Sequence, residues 1–142
     1  MADPRATLLH VQDAQGRYET FTADGVTITY TATVAGNSSQ AGLAVTLVAG
    51  VLETAADGEA IIGKLIKVEK DLTCLVQISG MMTLPGGTSA TLTQGARIVG
   101  DLLVSAEGYI QAAASGTAAH HVVSRGFIVD ATDTAAVVVY LN

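Results

Sequence analysis

The chain has 142 residues, enough for one domain with a hydrophobic core; 49% of them are hydrophobic and only 14% charged. Soluble chains average about 25% charged residues, so a surface this poor in charge points to contacts with partners. The net charge is −6 and the seven basic residues are spread along the chain, which excludes the basic stripe that nucleic-acid binding needs.

Residues 1–25 are the least regular part. Pro4, Gly16 and Asp24-Gly25 interrupt them, and apolar residues are sparse. They read as an extended arm, with a short strand at Leu8 to Val11. The opening MADPRATLLH lacks the basic end and long apolar run of a secretory signal, so synthesis in a cytoplasm is expected. From Val26 to Val34, VTITYTATV alternates apolar residues with Thr, which predicts a half-buried strand with a Thr-covered outer face. AGNSSQAG, Ala35 to Gly42, is a loop.

AVTLVAGVLETAADGE predicts a strand, a tight turn at Ala49-Gly50, a second strand and a turn at Asp57-Gly58. The apolar stretch here, Gly42 to Leu52, contains Thr46 and is too short to span a bilayer, so no membrane contact is expected. A doubling begins in this region. GVLETAADG from Gly50 matches GYIQAAASG from Gly108 at a shift of 58 residues. GKLIKVEKDLTCLVQI from Gly63 matches GFIVDATDTAAVVVYL from Gly126 at a shift of 63. The later copy carries five extra residues around AAHHV, which accounts for the change of shift. One unit therefore occurs twice, at about 45–79 and 103–142. In the last strand of each unit Cys74, Val76 and Ile78, and then Val137, Val139 and Leu141, fall on one face. Gly63 and Gly126 inside short apolar runs suggest a bulge or bend where a strand turns a barrel corner.

Between the units, Pro85-Gly86-Gly87 reads as a turn, and GARIVGDLLVSAEGYIQ as two strands around Glu107-Gly108. No window shows a clear 3.6-residue period, so little helix is expected beyond a short turn near Thr117 to Val122. The fold class that follows is all-β: a small antiparallel barrel or sandwich built from two similar hairpin-plus-strand units over residues 26–142, with an extended N-terminal arm at 1–25.

Reactive chemistry finds little support. His10 lies in the arm. His120 and His121 are adjacent in a loop and point opposite ways on an extended chain, so they read as exposed loop residues; a metal shared across an oligomer axis is the alternative. The carboxylates are scattered and several flank turn glycines. PGGT at Pro85 to Thr88 lacks the GK[ST] ending of a phosphate loop. The lone Cys74 lies in an apolar strand pattern, without a disulfide partner or a zinc motif. No catalytic residue, no metal and no cofactor is expected.

The segments ADGEAIIGKLIKVEKDLTCLVQISGMMTLP, GARIVGDLLVSAEGYIQAA and GFIVDATDTAAVVVYL together resemble the capsid decoration, or cement, proteins of tailed bacteriophages. The likeness covers about residues 45–142. It consists of an ADGE turn, Gly-led apolar strands, V-x-V strand endings and a GD-led hairpin. The region up to Gly42 and the His120-His121 insertion stand outside it. The resemblance implies a compact β domain, commonly a homotrimer, on the outer surface of an icosahedral virion. There it would bind the major capsid protein and tie neighbouring subunits together, after synthesis in the bacterial host cytoplasm.

The expected contact residues for capsid or neighbouring subunits are Leu8, Leu9, Val11 and Tyr18 of the arm, then Met81, Met82 and Leu84 beside the PGG turn. An arm of this kind suits strand addition to a neighbour's sheet edge. One alternative is a trimeric β domain of a phage tail, baseplate or fibre. The other is a ligand-binding module, for example for glycans, which the six aromatic residues support weakly.

Overall fold

A computed structural model describes residues 16–88, 92–114 and 116–142. Among the described residues the protein is mostly β, with 45% of them in strand and 7% in helix, and the sheets are antiparallel without closing into a barrel. Among the described residues ten strands follow one another: β1 (Tyr18–Thr22), β2 (Ala44–Val48), β3 (Val51–Thr54), β4 (Gly63–Val68), β5 (Thr73–Gln77), β6 (Gly80–Leu84), β7 (Ile98–Leu103), β8 (Ala106–Ala112), β9 (Phe127–Asp130) and β10 (Val137–Leu141). A short helix, α1 (Ala118–Val123), lies between β8 and β9 at the place of the short helical turn expected near Thr117 to Val122; it carries His120 and His121, which are therefore helical and not in a loop.

The first five strands form one sheet in the order β1-β5-β4-β2-β3. The last five follow the same plan. Strands β6, β10 and β9 form a sheet in that order, β7 pairs with β8, and a bridge between Ile98 and Arg125 joins the hairpin to the residues ahead of β9.

The match between halves holds residue by residue. Lys64 faces Gln77 and Leu65 faces Val76; 63 positions on, Phe127 faces Tyr140 and Ile128 faces Val139. Ile66 is the extra residue of a bulge in β4, and Val129 is its counterpart in β9. Tyr18 pairs with Gln77 on the other side of β5, and Met81 pairs with Tyr140. Parallel bridges join Ala23 to Leu52 and Gly86 to Ile110. Main-chain bonds repeat as well: Gly42 N–H donates to Leu65 O and Gly95 N–H to Ile128 O, each at 2.7 Å. The duplication therefore reaches back beyond residue 45 to include β1, whose counterpart is β6. The segment Tyr18–Thr22 of the expected arm is thus a strand of the first sheet; the expected strand at Leu8 to Val11 lies outside the described residues.

Bulge and glycine occupy different places from those expected. The bulges sit three residues past Gly63 and Gly126, at Ile66 and Val129. The glycines answer a different need. A Cβ on Gly63 would strike Gln77 O, and a Cβ on Gly126 would strike Tyr140 O. The residue that opens β4, and the one just ahead of β9, must lie against the last strand's backbone, and only glycine leaves room.

Each half has its own core. Val45, Leu52, Leu65, Val68, Cys74 and Val76 are fully buried with Ile28 in one. Met82, Leu84, Ile98, Ile110, Ile128, Val137, Val139 and Leu141 form the other, with Ala44, Ala55 and Ile61 contributed by the first half. The alternation at Cys74-Val76 and at Val137-Val139-Leu141 points inward as expected, and Ile78 packs against the first core while partly exposed. The Ala49-Gly50 turn joins β2 to β3 with both residues at positive φ, 50° and 82°, as a two-residue hairpin requires. The second hairpin turns at Val104-Ser105 instead of Glu107-Gly108. Gly108 lies inside β8, where a Cβ would press on Leu43.

The strand expected from Val26 to Val34 does not form; bends and turns occupy this segment. The Asp24 carboxylate accepts the N–H groups of Val26, Thr27 and Ile28 at 2.9–3.1 Å, which curls the chain. Gln40 Oε1 accepts the Thr29 N–H at 3.1 Å. These side-chain acceptors take the place of a ladder partner. Ile28 is buried in the first core while Val26 is 81% exposed.

Two expectations test these constraints. Gly63→Ala and Gly126→Ala should each cost about 1–3 kcal/mol, whereas Gly116→Ala, with open space around it, should stay within about 0.5 kcal/mol; urea unfolding followed by circular dichroism measures the difference. Burial tends to raise the Asp24 pKa, but the N–H bonds from Thr27, Ile28 and Val26 outweigh it and hold the carboxyl below its ordinary value. Its folded pKa lies below its unfolded one, so its contribution is complete above about pH 4 and drains as pH falls through the folded value. Asp24→Ala should destabilise by about 1–2 kcal/mol at neutral pH, and the gap to wild type should narrow in acid; an unchanged gap at low pH would contradict the charged cap.

Candidate interaction surface

The core face of each sheet is spent on packing, so contact with other molecules falls to the opposite faces and the turns. In the second half this face carries a row across three strands: Met81 on β6, Tyr140 on β10 and Phe127 on β9. Met81 is 37% and Phe127 44% exposed, and Tyr140 is half-buried. The Phe127 and Tyr140 rings lie 5.6 Å apart in a tilted contact, within the favourable range for aromatic pairs. An open groove of about 450 Å³ runs beside them, lined by Gly95, Arg97, Gly126, Phe127, Tyr140 and Asn142.

The equivalent row of the first half is Tyr18, Gln77 and Lys64. It differs in chemistry. Gln77 is buried and its amide donates to Met81 O at 3.0 Å and Ser79 O at 3.3 Å. Lys64 Nζ donates to Thr83 Oγ1 at 3.1 Å, and burial lowers its pKa. Only Tyr18 of this row stands well exposed, at 46%.

The expected contact residues divide accordingly. Leu8, Leu9 and Val11 lie outside the described residues. Tyr18 and Met81 are on the surface, at equivalent places in the two halves. Met82 and Leu84 point the other way, into the second core, where Leu84 has no exposed surface. Strand alternation separates Met81 and Thr83 from Met82 and Leu84, and that period alone could have excluded the latter pair. Phe127 and Tyr140 were missed; overlaying the two copies would have shown an aromatic residue where the first copy has Lys64 and Gln77.

The tip of the second hairpin adds an exposed apolar side chain. Val104 is 86% exposed at φ 61°, an unfavourable conformation for a β-branched residue. Thr88 Oγ1 accepts its N–H at 2.8 Å, which holds the tip in place. A groove of about 340 Å³ lies next to it, lined by Thr27, Thr54, Ser105 and Glu107 among others.

Polar groups near the joint between halves are structural. Arg125 donates to the main-chain oxygens of Ile62 at 2.8 Å, Ile78 at 2.5 Å and Asn142 at 2.7 Å. Burial lowers its pKa. His120 Nδ1 accepts the Ala114 N–H at 3.2 Å, and its ring lies against Gly58, so it fastens the inserted segment to the Asp57-Gly58 turn. The buried Cys74 thiol is pushed up to about 11 by desolvation, which leaves little thiolate at neutral pH. Among the described residues no three His, Cys, Asp or Glu side chains converge on a metal position. Among them also, no helix is long and apolar enough to cross a membrane. No protein-family model matches the chain, and no curated protein is significantly similar to it.

Arg125→Ala removes the donor from three carbonyls at once. It should cost about 2–3 kcal/mol, and Arg125→Lys, with one ammonium for three acceptors, should recover only part of that in thermal unfolding.

Proposed function

We propose that this chain is a structural virion protein, a cement protein that binds the outer surface of an icosahedral phage head and stabilises contacts between major capsid subunits. One observation supports the reading above others. A rigid, twice-built β domain leaves aromatic and aliphatic side chains exposed on a sheet face and at a hairpin tip, in a chain with few charges. Such surfaces mark contact with other proteins, and the sequence resemblance supplies the partner class. The binding energy comes from many modest contacts multiplied over a symmetric shell. Self-association as a homotrimer belongs to the same proposal, as does the role of residues 1–15 in reaching a neighbour.

The aromatic groove beside Phe127 and Tyr140 favours a second reading, a glycan-binding module. Two experiments separate the possibilities. Density-gradient fractionation of source lysate should place the chain with DNA-filled particles, near parity with the major shell protein. A few copies per particle would indicate a tail or fibre part, and recovery only in soluble fractions with hits on a glycan array would favour the ligand module. Removing residues 1–15 keeps β1 and should weaken capsid binding while leaving the circular dichroism spectrum intact; unchanged binding would exclude the arm.

A further inference from the structure

The second half carries one part that the first lacks: the five extra residues around AAHHV, which lie within α1 between β8 and β9. His120 ties this insertion to its surroundings on two sides. Its Nδ1 accepts the Ala114 N–H at 3.2 Å. The other edge of the ring lies over the Asp57-Gly58 turn of the first half, where a Cβ on Gly58 would come within 3.1 Å of Nε2. A ring nitrogen that accepts an N–H carries no proton, so this arrangement belongs to the neutral imidazole, with its proton on Nε2. Histidine is the side chain whose charge ordinarily changes between about pH 5 and 8.

We propose that His120 is a pH-sensitive clasp: neutral, it holds Ala114 to α1 with its ring seated on the Gly58 turn; protonated, it opens. In the imidazolium both nitrogens are donors. Nδ1–H and the Ala114 N–H would then confront each other across a gap that suits a hydrogen bond. The ring must turn on Gly58, and the Ala114 N–H passes to water.

The charged groups on the surrounding elements do not reverse this. Asp57 and Glu59 flank Gly58 and attract a charged ring, but Asp57 is exposed, and both carboxylates already accept bonds, from the Gln111 amide and the Ala56 N–H. On the far side of Ala114, the Ala113 N–H donates to Arg97 O at 2.7 Å, and the Arg97 guanidinium donates to Ser124 O at 2.7 Å. Arg125 holds the carbonyls of Ile62, Ile78 and Asn142. These two cations, and His121 on α1 itself when charged, oppose charge on the ring. Neither influence returns an acceptor to Ala114.

The test is an NMR titration of the purified chain from about pH 8 to about pH 5, following the ring protons of His120 and His121 and the amides of Ala114 and Gly58. The two amides should shift with the His120 ring at a common midpoint. Exchange of the Ala114 amide with water, corrected for the intrinsic effect of pH, should rise about threefold to tenfold across that midpoint. His120→Gln keeps an acceptor and does not titrate, so it should flatten both responses; His121→Gln should leave them in place. Amides that stay fixed while the His120 ring titrates would overturn the proposal. So would a response that survives His120→Gln and vanishes in His121→Gln. No shell is needed, so the outcome is independent of the capsid reading.

Discussion

Two carbonyl groups, Gln77 O and Tyr140 O, set the geometry on which the rest of this molecule depends. Each lies so close to the start of the strand beside it that the residue there can carry no side chain. Gly63 and Gly126 meet that demand. From them the neighbouring strands run in fixed register, reach a bulge three residues later, and go on pairing beyond it. A one-residue slip would send every core side chain to the outer face, so the glycine, the register and the core specify one another.

Because this device is used twice, the halves share the pairing and bulge around their last strand, and they differ in what that pairing shows to the outside. The first presents Lys64 and Gln77, tied by hydrogen bonds to β6. The second presents Phe127 and Tyr140. Divergence on one face of an otherwise repeated scaffold locates the part of the surface that packing does not dictate.

The sequence was legible where burial decides the outcome. The strands ending at Gln77 and Leu141 alternate because one face of each is in a core, and the Ala49-Gly50 hairpin announced itself by turn chemistry. It misled where side chains compete with the ladder: VTITYTATV has a strand's period, yet Asp24 and Gln40 capture its N–H groups. Strand β1 was hidden for the opposite reason. Tyr18, Glu19, Thr20 and Thr22 are all exposed and only Phe21 touches the core, so an edge strand left no period to read. Glu107-Gly108 resembled a turn because Gly108 is small, but Leu43 is what requires it to be. At the surface, Tyr18 and Met81 are exposed as a contact role requires, while Met82 and Leu84, expected outward, alternate into the second core. Phe127 looked like one more apolar strand residue until its partner strand was known.

The two cores also differ in what each takes from the other half. Every buried residue of the first core comes from the first half, so that half can be completed from its own sequence. The second core takes Ala44, Ala55 and Ile61 from the first half, and its hairpin bonds through Gly100 to Gly58 and Glu59. For the buried apolar residues the dependence runs one way. A chain made from its N-terminus exposes the self-sufficient half first, which then serves as a template on which the second half closes.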